Sequence, residues 1–553
     1  MSILSKPEPP HALPLNAKQP NDIHAISSSL PTWASVQGAA NYEDWIMDTL
    51  EVDYPRFVVH YLIARLLAVA RNRLGVSPSL GGMAFPSERT AKRFASHLKA
   101  KKGSLPLAIQ FAWMLVNICI NFFIPSEGLK NDQLRWSNFY AVFFPKDLEE
   151  DALHLWSVVG EGMVTRHAEF LLERVHYMIS DSEVASFRTP APAQGELLPV
   201  SWSNSAQLEK NSVKERIAHL ATSENGPMPV SIQDVFLFDK GMSAISALAR
   251  SMQTSVDDEA VVYGWTYTET PESVRLAGFQ RFTHYARGTA EELNELETSL
   301  ASGHKIKVLF TELPCNPTVE SPDLPRIRAL ADKYNFVVVC DDTLASFVNV
   351  DLIPYVDIIV TSLTKIFSGA ANVMGGSVVI NPQSKYHSSI HKSLAADYED
   401  NVFPLDAVIL ANNSIDFVQR VHRCNQTALT LANELSLHKS VRRVNYPTMV
   451  GTSPLYEKVR RPNGGYGYIL SIFFHTLESA ICFYNALDVR KGASCGTNFT
   501  LAIAYTELTH HKEFEWAGES GVTRDCVRIS VGLEDAELLL DRMERALDEV
   551  EKL

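Results

Sequence analysis

Between residues 235 and 380 the chain alternates short apolar runs with amphipathic helical stretches, a pattern that restricts it to a parallel α/β sheet. The runs are VFLF, EAVVYG, IKVLF, VVVC, DIIV and GGSVVI; between them lie SAISALARSM, AEELNELETSLASG and LPRIRALADKYN. Parallel neighbours need crossover connections, which the helices supply. Six strands are therefore expected in a doubly wound, mainly parallel sheet, with ligands at the carboxyl ends of its strands.

Two of those ends carry reactive side chains. VVVC runs into Asp341 and Asp342, and DIIV runs into TSLTKIFSG (residues 361–369), which sets Lys365 between Ser362 and Thr364. Alone, a lysine there is ordinarily a solvated loop residue, and an aspartate ordinarily a cap or turn former. Together they suggest pyridoxal phosphate (PLP), which needs a lysine amine for its aldehyde and a carboxylate to keep its pyridine nitrogen protonated.

Other residues gain meaning from that pair. DKGMSAISALAR places Gly241 and Met242 at a helix N-terminus, where free amides and the helix dipole favour an anion such as the cofactor phosphate. Tyr263, in YGWTY at a strand end, offers a ring to stack on the pyridine, or else is a half-buried core tyrosine. Arg528, in CVRISVG, lies within an apolar strand, where a charge needs an anion. An internal acid or a substrate carboxylate, held bidentately, would satisfy it.

Composition excludes several classes. With a net charge of -14, pI near 5.7 and no Lys/Arg block, nonspecific nucleic-acid binding is not expected. The seven cysteines are scattered and never spaced as CxxC, and the 17 histidines form no HExxH, so neither a disulfide framework nor a metal site is expected. These features fit a reducing, cytoplasmic setting. The most apolar stretch, FAWMLVNICINFFI at residues 111–124, is too short to span a bilayer and is predicted to be a buried helix. No membrane partner is expected.

Four segments follow from the texture: a disordered tail at 1–32, a mainly helical N-terminal extension at 33–205, a large domain at 206–400 and a smaller α+β domain at 401–553. The Pro-, Ser- and Ala-rich residues 189–205 are expected to form a linker or surface insertion.

TSLTKIFSG with NVMGGS, CDDT, FTELPCNPT, the GM turn, YGWTY, KGASCGTNFTLA and VRISVGLED resemble the Cys/Met-metabolism (γ-family) PLP enzymes. The resemblance is closest to the fungal cystathionine γ-synthases, whose LPTW, YPR and FPSE segments have counterparts here at 30–33, 54–56 and 85–88. It implies the aspartate aminotransferase-like fold (fold type I) and a homodimer or homotetramer acting on small amino acids. It also implies PLP-dependent γ-replacement on an O-acyl-homoserine: elimination of the γ-acyloxy group, then addition of a nucleophile at Cγ. Alternatives are a carbon or nitrogen nucleophile in natural-product assembly, a γ- or β-lyase, and an inactive regulatory protein on the same fold.

Residue by residue, the resemblance makes Lys365 the Schiff-base lysine and proton shuttle, Asp341 the pyridine-nitrogen partner and Tyr263 the stacking ring. Asn316 would lie by the cofactor's phenolic oxygen or the substrate. Gly241, Met242, Ser362 and Thr364 would hold the phosphate, and Arg528 and Ser494 the substrate carboxylate. The family's Tyr-x-Arg pair, lent to the phosphate by a neighbouring subunit, is represented by Arg166 with Val164 in the tyrosine's place; Tyr54 and Arg56 are the second candidates. Cys495 stands where the family's carboxylate segment has leucine.

Overall fold

The computed structural model describes residues 11–52, 54, 58–102, 114–120, 136, 138–173, 178–180, 206–224, 226–255 and 257–553. Strands β1 (Leu80–Phe85), β2 (Met114–Ile120), β3 (Asn138–Pro145) and β4 (Met178–Ser180) belong to the N-terminal extension. The large domain holds β5 (Val235–Phe238), β6 (Glu259–Tyr263), β7 (Arg281–Tyr285), β8 (Val308–Glu312), β9 (Val337–Asp341), β10 (Ile358–Ser362) and β11 (Gly376–Ile380). The C-terminal domain holds β12 (Val441–Asn445), β13 (Ile469–Phe474), β14 (Arg490–Lys491), β15 (Leu501–Ala504) and β16 (Cys526–Ser530).

The large sheet has the order β5-β11-β10-β9-β8-β6-β7. Its pairings are parallel from β7 through β10, and β11 alone runs against its neighbours. All six strands expected from the sequence are present. Apart from Asp341 and Ser362 at the ends of β9 and β10, they are buried along their lengths, which is why they appear as continuous apolar runs rather than alternating ones. The seventh, β7, is an edge strand of composition RFTHY with its residues half-buried or exposed; a polar edge strand leaves no apolar run to find.

The C-terminal sheet, β12-β13-β16-β15-β14, places β16 between β13 and β15, with Arg528 opposite Ser471 and Ile503. The helices Phe417–Ser436 and Ala536–Val550 cover it, burying Leu431, Leu435, Leu539, Met543 and Leu547 against Leu470 and Ile472.

One expectation about the N-terminus fails. Residues 11–32 are not a disordered tail but a strap over the C-terminal domain. Gln19 donates to Lys491 O (2.8 Å), Tyr484 Oη donates to Leu30 O (2.8 Å), and Leu30 joins Trp33 in the core. The Pro and polar residues of this segment suit extended backbone satisfied by long-range partners.

The described residues of the extension lie more in helices than in strands, but they also include a sheet that the sequence reading did not expect. This antiparallel sheet, β1-β3-β2-β4, is packed by the Tyr61–Leu74 and Thr165–Leu172 helices on one face and by the Glu88–Lys102 and Glu149–Val159 helices on the other. The predicted buried helix at 111–124 contains β2 instead; its remaining residues, like the insertion at 189–205, lie outside the described residues. An apolar run of that length cannot be assigned by periodicity, and Val116, Ile118 and Ile120 favour the strand. No described helix is long and apolar enough to cross a membrane.

Candidate active site

At the carboxyl edge of the large sheet, β8, β9 and β10 end side by side. The register puts Glu312 against Asp341 and Asp341 against Val360. The turn after β10 carries Lys365 and returns as β11, with Ser362 opposite Gly376, so the lysine is held at the strand end. The Gly241–Met252 helix points its N-terminus at the same place. A Cβ on Gly241 would lie 2.9 Å from Ser362 Cβ, so glycine lets the helix amides approach the turn closely.

These elements share one cavity, with about 990 Å³ of space not filled by atoms. Gly241, Met242, Ser362, Thr364, Lys365, Asp341 and Asn316 line it from the large domain, and Arg528, Ala493 and Cys495 from the C-terminal domain. The extension closes it with Tyr54, Trp156, Ser157 and Gly160. Gly160 has φ +69°, and a Cβ there would meet Ser243 N at 2.6 Å, so the extension sits directly on the first turn of the helix. Lys240 Nζ fixes that seating by donating to Gly162 O (2.5 Å) and Asp239 (2.6 Å).

Lys365 Nζ donates to Tyr54 Oη at 3.0 Å and lies 3.4 Å from Ser494 Oγ. Burial lowers its pKa below the usual lysine value, favouring the neutral amine that acts as nucleophile and base. Burial raises the pKa of Asp341, an effect that hydrogen bonds from Thr343, one of them N–H to Oδ1 at 2.8 Å, partly offset. Glu312, which accepts from Tyr267 N (2.6 Å) and Asn316 N (3.2 Å), is pushed well above the carboxylate range by burial and then by the Asp341 charge.

Arg528 donates to Asn316 Oδ1 (3.2 Å) and to the Ser494 carbonyl (2.8 Å). Its Nε, buried, has no hydrogen-bond partner, and no described acid pairs with it. The internal salt bridge is therefore excluded among the described residues, leaving a cation that faces an anion's place.

The donor set fits PLP. A deprotonation-prone lysine, a buried carboxylate that no described cation neutralises, an anion cradle narrowed by Gly241 and an incompletely satisfied arginine all face one space. Each matches one part of the cofactor or its amino-acid substrate.

Comparison with known proteins bears this out. The model of Cys/Met metabolism PLP-dependent enzymes matches residues 178–548, and that of the N-terminal domain of fungal trans-sulfuration enzymes matches residues 62–163. The cystathionine gamma-synthase-like protein ankD of Aspergillus thermomutatus is 45% identical, covering 97% of this chain and 95% of its own length. The chain belongs to the Cys/Met-metabolism PLP-dependent enzymes. Cystathionine gamma-synthase of Neurospora crassa is 31% identical over 96% of this chain and 97% of its own. In fold, the chain matches cystathionine gamma synthase from Xanthomonas oryzae pv. oryzae with a TM-score of 0.55 and 20% identity, covering 67% of this chain and 92% of that one.

For a Cys/Met-metabolism enzyme with PLP as its cofactor, one residue assignment needs correction. Tyr263 is not the stacking ring: it is buried in the core, its hydroxyl donating to Gly288 O and Thr289 O (both 2.9 Å), and it does not line the cavity. The strand end directs it inward, whereas Tyr267, four residues on and held by Glu312 through its own N–H, lines the cavity. The second tyrosine of YGWTY was the signal for it.

Arg166 does not line the cavity of its own chain. It donates to Asp406 (2.9 Å) and Asn372 O (2.7 Å) and is buried. Tyr54 lies in the cavity of its own chain, which favours the YPR segment; Arg56 is outside the described residues.

Asp342, next to the site, tests the electrostatics. Its carboxyl accepts from Thr361 Oγ1 (2.5 Å), and burial raises its pKa to about 8. The native chain therefore keeps a proton that the unfolded chain releases near pH 4, so this group's contribution to stability falls as pH rises from about 4 to about 8. Asp342→Asn, which cannot ionise, is expected to raise the thermal midpoint at pH 8 by roughly 2–4 °C or more and to change it little at pH 4. An equal effect at both pH values in thermal scans would show that Asp342 is already ionised in the native state.

Proposed function

We propose that this enzyme performs γ-replacement on an O-acylated homoserine, as a transferase of the cystathionine γ-synthase type. The observation that carries this reading is the Lys365 amine 3.0 Å from the Tyr54 hydroxyl, in a cavity that Arg528 borders. Replacement at Cγ needs two successive proton removals, from Cα and Cβ, and a proton donor for the departing carboxylate. A neutral amine and a phenol side by side can share these tasks.

When bound, PLP supplies the electron sink that acidifies the substrate's Cα and Cβ. Arg528, backed by Asn316 and the Ser494 carbonyl, orients the α-carboxylate so that Cα faces Lys365. Lys365 takes the protons, and Ser494 Oγ, 3.4 Å away, restrains the amine. Tyr267 flanks the reacting centre, while Tyr54 and Trp156, brought by the extension, exclude water.

The test is the purified holoenzyme with O-acetyl-L-homoserine. Stoichiometric acetate and a γ-substituted 2-aminobutyrate, identified by mass spectrometry, are expected. Keto acid from cystathionine, with no acetate from the ester, would instead identify a lyase. Tyr54→Phe keeps the ring over Lys365, 4.1 Å from centroid to Nζ, and removes only the hydroxyl. It is expected to lower kcat roughly 10- to 100-fold with KM little changed; an unchanged kcat in steady-state assays would exclude the phenol from proton transfer.

A further inference from the structure

The cavity does not end at Arg528. A second lobe opens beyond it, walled by Ile503, Tyr505, Leu508 and Thr509 and joined to the main space at Tyr54, Tyr267, Asn316, Ala493 and Arg528. Arg528 stands at the boundary, its guanidinium 5.2 Å from the centre of the Tyr505 ring, with its amino groups turned to Asn316 and Ser494.

The charges on the neighbouring helix, Tyr505–Thr509, do not serve the lobe. Glu507 is paired with Arg524 (2.7 Å), and His510, just past the helix, with Glu513 (2.8 Å). The Thr509 hydroxyl donates to Tyr505 O (2.8 Å). Among the described residues, the lobe therefore offers aromatic faces and aliphatic side chains beside the neutral polar groups of Asn316, Thr509 and its tyrosines, and its single charge, Arg528, is the one assigned to the donor's carboxylate.

We propose that this lobe receives the acceptor and selects an uncharged, apolar nucleophile, a neutral thiol or a neutral carbon acid, over a zwitterion such as cysteine. The inference rests on the γ-replacement reading and names its second substrate class. The Cγ–O bond of the donor breaks, a bond forms from Cγ to the acceptor's sulfur or carbon, and the acceptor's proton leaves with the carboxylate as the free acid. No oxidant or reductant enters. Among the described residues of the lobe, a zwitterionic acceptor would find no carboxylate for its ammonium and no cation other than Arg528 for its carboxylate, and stripping water from charges that lack a charged partner is unfavourable. A neutral acceptor gains from contact with Tyr505, Leu508 and Ile503 instead.

The experiment is a competition on the holoenzyme with saturating O-acetyl-L-homoserine, pairing L-cysteine with ethanethiol and with pentane-2,4-dione. The neutral acceptors are expected to win by about 10-fold or more in kcat/KM. Thr509→Lys, which places a cation at the half-buried rim, is expected to shift the ratio several-fold toward cysteine. Acetate release with cysteine as the equal or better acceptor would overturn the inference while leaving the donor reading intact. An unshifted ratio in a folded Thr509→Lys protein would overturn the location. No acetate with any acceptor would remove the donor reading and this inference together.

Discussion

Lys365→Ala is expected to lose the visible absorbance of the bound cofactor after desalting and to lower kcat by ~10⁴-fold or more, since one side chain serves as both covalent anchor and base. No described neighbour is positioned to replace it. Tyr54 and Ser494 contact the amine but are hydroxyls, and Lys240 is held by Asp239 and Gly162 O at the foot of the Gly241–Met252 helix. The fold should survive. Burial lowers the Lys365 pKa, which means the charged amine is disfavoured where it sits, so the cofactor-free variant is expected to match or exceed the parent in thermal midpoint. Absorbance, borohydride trapping followed by peptide mass spectrometry, and calorimetry of the cofactor-free proteins separate these effects. A variant that kept the parent's spectrum, or one trapped at another lysine, would exclude the assignment of Lys365.

What the sequence made legible follows from how each group is positioned. Lys365, Asp341 and the Gly241–Met242 turn, which line one cavity, are legible in the sequence because strand ends and helix starts leave local marks: an apolar run, a punctuating polar residue, a glycine. Arg528 was found because a charge inside an apolar strand is conspicuous.

Tyr263 and Arg166 are harder to place for the opposite reason. Their roles depend on the direction of a side chain and on partners far away in the chain, Gly288 for one and Asp406 for the other. The same limit hid Glu312, whose carboxyl gains its significance only from β8 pairing with β9, and Trp156, which reaches the cavity only because Gly160 allows the extension to seat on the Gly241–Met252 helix. The extension's sheet escaped notice because its strands are apolar runs like those of buried helices, separated by segments with no clear period.

Asp341→Asn should have the next largest effect, because it is nearly isosteric and can still accept the 2.8 Å hydrogen bond from Thr343 N while losing the charge. Without that charge the pyridine nitrogen is no longer held protonated, and kcat is expected to fall by roughly 10²- to 10⁴-fold, with cofactor still bound through Lys365. Glu312 cannot compensate. It lies opposite Asp341 on the adjacent strand, but burial and the neighbouring carboxylate push its pKa well above the usual range, which disfavours its charged form, and it is engaged by Tyr267 N and Asn316 N. Removing the Asp341 charge withdraws one of the causes of that shift, so Glu312 should titrate at lower pH in Asp341→Asn than in the parent. The decisive form of the test uses Asp341→Ala, which leaves room at the ring nitrogen, loaded with cofactor methylated there and so permanently cationic. Recovery of a substantial part of the lost rate would show that Asp341 acts by maintaining the positive ring. No recovery, in a variant that binds the analogue, would mean that Asp341 acts instead by orienting the ring.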